Sequence, residues 1–493
     1  MRYLLFLLAI VAVGCKQNKI VHPPIPKGSV IGATYSIKST LDKYQWNEIR
    51  TSLIYKEFLE YYPDFEYLNF EYTGIDTFSN GIFFGHKYKG QYLMAIVLPI
   101  SDIEVFKTNK IFSTGNKPEQ KSGYSYINHK DNLIFWNKDW VLIPFSIDFG
   151  YQAQLQPELL GNVFLSPEKT IEYADLYFNM KKADHLDLSK IYDNNIPTNS
   201  DATYYINISE LIQQVAPFVS TLKGYDLIND SYFFGHSSID SNVLKMHTFF
   251  APNKELTKIF NTHYKNNINT SFLQSEQNTF FYIISNLQLD FINEIIKQTN
   301  SEILFDQLFQ MFNVSFADIA KLTGEQYSMS MYAKQNSNQP DSVQTMYMSI
   351  KVDIKEKDKL KEIFKQTEDT VVTEESIAIL SDQLFDISVF RTIQSITPTG
   401  KIPTPEKNNA GVMYVNIKSF FESLSDLEGT ESMPPEAKEM LDLYESYFIT
   451  WKWEKKYLKA DIITKMAGTD NFIKNMFENT INNMLKLKRT ESK

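Results

Sequence analysis

Histidines, clustered carboxylates and paired tryptophans are the side chains in this sequence with the means to do chemistry. Seven histidines are scattered over 493 residues. His86 and His236 each follow Phe-Phe-Gly, so they hold matching places at the end of an apolar run. Two imidazoles brought together could ligate a metal or act as bases. The plainer explanation is a polar residue recurring at a turn. Asp184-His185-Leu186-Asp187 sets two carboxylates beside an imidazole, yet neighbouring residues point different ways, which suits a loop or helix start better than a metal site. Gly74-Ile75-Asp76 and Gly224-Tyr225-Asp226 could be acidic sites. A glycine ending a helix and an aspartate shaping the next turn account for the recurrence without chemistry. Trp136 and Trp140 share a face if they lie on one continuous strand, as do Trp451 and Trp453. Exposed, these four could stack on sugar rings or anchor a protein, and they are the candidate ligand or partner contacts. Packed against helices, they are core.

The usual catalytic signatures are missing. Gly85-His86-Lys87-Tyr88-Lys89-Gly90 lacks the Lys-Ser/Thr ending of a phosphate-cradling loop, so no nucleotide site is indicated. Neither a G-x-S-x-G elbow nor an H-E-x-x-H zinc pair occurs. The 59 Asp and Glu residues offer too many arbitrary pairs to single out a glycosidase dyad. Arginine is nearly absent, limited to Arg2, Arg50, Arg391 and Arg489, so planar clamps for phosphate or carboxylate are scarce. A formal charge of −10 is the wrong sign for a general nucleic-acid binder. The reading is therefore of a non-enzymatic protein with no cofactor, no metal, no nucleotide and no nucleic-acid partner.

A single cysteine, Cys15, rules out intrachain disulfides and cysteine-based metal clusters. The stretch before it, MRYLLFLLAIVAVGC, has a positive Arg2 and an apolar run from Leu4 to Val13. That is the length of a signal-peptide core and too short for a span of roughly 20 residues. Ala12-Val13-Gly14-Cys15 resembles a bacterial lipobox, although Ala12 stands where leucine is preferred. The resemblance implies acylation of the Cys15 thiol, cleavage before it, and attachment to a membrane surface through several acyl chains. A secretory signal with a chance cysteine, or an uncleaved anchor, are the alternatives. Residues 1–15 are read as the signal and residues 16–28, with Pro23, Pro24 and Pro26, as a stiff polar tether.

Element patterning then has to position everything else. Ala33-Thr34-Tyr35-Ser36-Ile37 recurs as Ala202-Thr203-Tyr204-Tyr205-Ile206, and Phe83-Phe84-Gly85-His86 as Phe233-Phe234-Gly235-His236. Two drifted copies begin near Thr279 and Val412. This predicts an α+β fold made of tandem strand-helix-strand-strand-helix units, their antiparallel sheets covered on one face by helices. The expected domains are 29–195, holding the first repeat, and 196–493, holding repeats at about 202–262, 278–366 and 411–483.

The lipobox cysteine, strands running into Asn-Ile-containing helix starts, and Thr73-Gly74-Ile75-Asp76 before a Phe-rich strand resemble the large uncharacterised lipoproteins of Bacteroidota. This implies an outer-membrane, lipid-anchored envelope protein and supplies no catalytic residues. In that phylum acidic residues after the cysteine often mark export to the surface. Lys16-Gln17-Asn18-Lys19 has none, which adds weight to the periplasmic face while leaving both faces open. The expected role is binding or scaffolding within an envelope protein complex. Binding of a glycan or small ligand through the tryptophan pairs, and hydrolysis of envelope material at an unrecognised site, are the competing readings.

Overall fold

The computed structural model describes residues 23–44, 46–61, 73–108, 112, 117–129, 132–145, 165–197, 200–215, 223–272, 278–303, 315–335, 340, 343–364, 370–373, 376–381, 384–394, 402–425, 444–467, 474, 478, 481–482 and 485. The chain divides into two compact units. One comprises Met1–Leu211, Phe234–Asn242 and Thr469–Lys493, the other Ile212–Phe233 and Val243–Gly468.

The first unit holds strands β1 (Ser29–Ser36), β2 (Asn80–Tyr88), β3 (Gln91–Pro99), β4 (Glu119–Lys121), β5 (Tyr124–His129), β6 (Asn132–Trp136), β7 (Trp140–Phe145) and β8 (Ala202–Asn207), with β9 (Tyr232–Asp240) from Phe234 onward. β1 to β8 pair antiparallel in the order β8–β1–β2–β3–β7–β6–β5–β4. Leu93, Ala95 and Val97 alternate along β3 and join Ile82, Phe84 and Leu142 in a core beneath the helix Pro167–Phe178. That helix starts at Ser166, whose hydroxyl caps it, with Pro167 at its first position. Its buried residues Thr170, Tyr173, Ala174 and Tyr177 fall at the spacing of one helical face, and Tyr177 stacks on Phe84.

In the second unit the strands are β10 (Val243–Ala251), β11 (Thr279–Asn286), β12 (Thr323–Lys334), β13 (Val343–Ile354), β14 (Thr370–Val372), β15 (Ser376–Leu380), β16 (Leu384–Gln394), β17 (Gly411–Asn416), β18 (Tyr444–Glu454) and β19 (Tyr457–Met466). They pair antiparallel as β10–β19–β18–β17–β11–β12–β13–β16–β15–β14. Strands pass directly into helices where the last strand residue is also the cap. Ser36 Oγ, Asn207 Oδ1 and Asn416 Oδ1 each accept the backbone N–H three residues on.

The expected α+β fold of tandem strand-helix-strand-strand-helix units is not what forms. Among the described residues strand outweighs helix, 45% to 31%, and the strands build broad, open antiparallel sheets. Pairing also runs across the supposed units: β1 pairs with β8, β11 with β17, and β10 with β19. The physical reason lies in the strand edges. The opening strand of a free-standing unit would leave a row of backbone N–H and C=O groups unpaired, and here a strand from a distant stretch satisfies them.

Candidate functional site

A cleft of about 690 Å³ in the first unit is the candidate site. Its floor is set by strand register. Thr34 on β1 stands directly opposite Thr203 on β8 and, on its other side, opposite Ile82 on β2. Directly opposed residues project from the same sheet face, and so does Asn80, two residues before Ile82. The Thr34 and Thr203 hydroxyls lie 2.8 Å apart, and the Tyr192 hydroxyl is 3.0 Å from that of Thr203. Three hydroxyls sharing two hydrogen bonds leave one O–H hydrogen to donate elsewhere. Burial pushes the Tyr192 phenol up to about 12, against the hydrogen bond with Thr203, so it stays protonated near neutral pH.

The walls come from two segments distant in sequence. Pro23, Pro24 and Ile25 form one, and Lys182, His185, Leu186, Asp187 and Leu188 the other. Proline has no N–H, so this N-terminal stretch is held mainly through its carbonyls. The Tyr177 hydroxyl donates to Pro24 O at 2.9 Å, the Leu186 N–H to Ile25 O at 2.8 Å, and the Ser29 hydroxyl to Pro26 O at 2.7 Å. Lys27 N–H donates to Asp184 O at 2.7 Å. The floor is neutral and the walls are largely apolar; Lys182, His185 and Asp187 bring ionisable groups.

The residues singled out from sequence are spread widely. Trp136 ends β6 and Trp140 begins β7, so they do not share one strand, and Asn137 Oδ1 caps the turn between them. Trp136 is buried beside Phe106 and Phe112, whereas Trp140 is half-buried against the first unit's core. Trp451 and Trp453 do lie on one strand, β18. Trp453 is buried, stacked on Phe260 at 4.4 Å, with its indole N–H donated to Asn261 Oδ1. Trp451 is half-buried, with its ring over Gly411 on the neighbouring strand. Trp136 and Trp453 therefore offer no face to a sugar. Cys15 lies outside the described residues.

His86 and His236 take separate places. His86 Nδ1 is 2.9 Å from the Tyr173 hydroxyl; burial lowers its pKa, and a hydrogen bond to the Lys27 backbone partly offsets that. His236 is buried on β9. In the Asp184–Asp187 stretch, Asp187 pairs with Lys190 at 3.3 Å, and His185, Leu186 and Asp187 line the cleft. Gly74 adopts a φ of +72° and its carbonyl receives the Ser101 and Asp102 N–H groups, while Asp76 binds Phe78 N–H and the Ser79 hydroxyl. Both are turn-shaping contacts.

A histidine–carboxylate pair does occur elsewhere. His247 on β10 and Asp461 on β19 are in register, with Nδ1 and Oδ1 2.5 Å apart. Lys459 also pairs with Asp461, at 3.1 Å, and His247 and Asp461 stand about a third exposed on the strand faces, outside the cleft. This is a cross-strand side-chain hydrogen bond beside an ion pair along β19. Among the described residues no group of three or more His, Cys, Asp or Glu side chains is placed to hold a metal.

No family model matches the chain. No curated protein matches it either. Among solved structures, one described as crystal form I of TP0453 aligns over 51% of this chain and 88% of that chain, at 9% identity and a TM-score of 0.27. That level of likeness assigns neither fold nor function.

Thr34, Thr203 and Tyr192 were not among the residues that sequence spacing singles out. Their signal lay in the two Ala-Thr-Tyr triplets, Ala33-Thr34-Tyr35 and Ala202-Thr203-Tyr204, whose threonines meet at the cleft floor. Lys182 and Asn80 carried none.

Proposed function

We propose that this chain is a lipid-anchored envelope protein, attached to the outer membrane at Cys15, that acts by binding at the cleft and by holding an envelope protein partner. One observation supports the reading most directly: the first described residues of the tether, Pro23 to Ile25, form a wall of the cleft. A chain fully extended from Cys15 to Pro23 reaches at most about 29 Å. Acylation at Cys15 would thus keep the cleft within that distance of the lipid surface and give it access to membrane-derived molecules. Among the described residues no helix is long and apolar enough to cross a membrane, so attachment in this reading rests on the acyl chains.

Scaffolding adds a second demand, a stable partner. Affinity purification of the protein from solubilised membranes, followed by mass spectrometry, tests it. A partner recovered in stoichiometric amount supports the proposal. A monomer that recovers none contradicts the scaffolding half.

A further inference from the structure

The cleft's ionisable and apolar groups differ in how well they are satisfied, and that difference selects a ligand. Among the described residues the floor hydroxyls of Thr34, Thr203 and Tyr192 bond one another, so a hydrocarbon laid over them strands few polar atoms. Asp187 is engaged by Lys190. Lys182 lines the same cleft, is exposed, and has no ion-pair partner among the described residues. Pro23, Pro24, Ile25, Leu186 and Leu188 supply apolar walls. A volume of about 690 Å³ is in the range that holds one small molecule.

We propose that the cleft takes a single long-chain carboxylate, its hydrocarbon along the Pro23–Ile25 and Leu186–Leu188 walls and its head group on the Lys182 ammonium. The ligand class rests on the reading of the chain as a membrane-anchored binding protein, because the lipid surface is the source of such molecules. Charge complementarity decides between amphiphiles: a neutral head leaves Lys182 unanswered, while an anionic one gains a charge-assisted hydrogen bond. An amphiphile with a cationic head would be repelled.

The test titrates oleate, oleyl alcohol and acetate into full-length protein carrying Cys15→Ser, purified without detergent, by calorimetry. Oleate should bind with one site per chain, and acetate should not bind. Lys182→Glu should weaken oleate by at least about tenfold and change oleyl alcohol by less than about twofold. Leu186→Asp should weaken both. Failure of oleate to bind, or equal affinity in the Lys182→Glu variant with an unchanged circular dichroism spectrum, overturns the proposal. Because the protein is unanchored here, a negative result leaves acylation of Cys15 standing, and failed acylation leaves the binding result standing.

Discussion

Asn266 holds the backbone of Trp453 with both ends of its amide. Trp453 N–H donates to Asn266 Oδ1 at 2.7 Å, and Asn266 Nδ2 donates to the Trp453 carbonyl at 2.5 Å. Gln288 does the same to Lys265, and Gln326 to Asn269. The stretch from Lys265 to Asn269 belongs to no strand, so its own backbone groups need other partners, and a side-chain amide has the same donor and acceptor as a peptide. Asn266→Ala should cost about 2 kcal/mol, since two backbone groups beside a buried tryptophan lose their partners. Chemical denaturation of the pure protein measures this; a loss below about 0.5 kcal/mol would show that water replaces the amide.

Burial of Trp453 makes a separate prediction. Its ring lies parallel to Phe260, at 12° between planes. Trp453→Ala should destabilise the fold by about 3–5 kcal/mol, the usual cost of emptying an aromatic site. Soluble oligosaccharides should leave Trp453 fluorescence unchanged, and quenching by sugar would restore the glycan reading.

Tyr35 covers a glycine. It stands directly opposite Gly81, and a Cβ on Gly81 would strike the Tyr35 ring. Its hydroxyl is buried with no hydrogen-bond partner among the described residues, and burial pushes its pKa up. Tyr35→Phe should therefore raise stability by about 1 kcal/mol, because an unsatisfied polar atom is removed and the ring kept. Gly81→Ala should lower it by about 1–3 kcal/mol through overpacking. Thermal melts of both variants give the signs directly.

Asp201 ties three pieces of the first unit together. Its carboxylate accepts from the Ser39 hydroxyl at 2.5 Å, the Lys43 ammonium at 2.5 Å and the Ile239 N–H at 2.6 Å. Burial alone would raise its pKa; the bonds from Lys43, Ser39 and Ile239 outweigh that and lower it. A depressed carboxyl contributes stability above the unfolded value near pH 4, and that stability is lost as pH falls through the lower folded value. Asp201→Asn should consequently destabilise the protein at pH 7 and flatten its loss of stability below about pH 4. An unchanged acid limb in urea melts would show that Asp201 is not coupled to folding.

Local pattern carried the strands well and their partners poorly. Alternating apolar residues mark Gln326–Ala333 and Val343–Val352, which fall inside β12 and β13, because each side chain's face follows from its neighbours two residues away. Nothing within β1 announces that Thr34 will meet Thr203, since that pairing depends on edge groups far apart in the chain. The turn after Trp136 illustrates the limit at short range. Asn137 accepts the Asp139 and Trp140 N–H groups in a turn and puts Trp136 and Trp140 on different strands. Half of the cleft wall was invisible for a similar reason: prolines 23 and 24 read as tether, and the Tyr177 hydroxyl and the 184–186 turn, far along the chain, hold that segment in place.

Attachment through Cys15 is the claim on which the functional account rests. Cells expressing the full chain are grown with a clickable palmitate analogue, and label on the purified protein is compared between the native sequence and Cys15→Ser. Native protein should be labelled and membrane-associated, and the variant unlabelled and released from the membrane fraction. Label retained at native level in Cys15→Ser, or none in the native protein, would contradict attachment through Cys15.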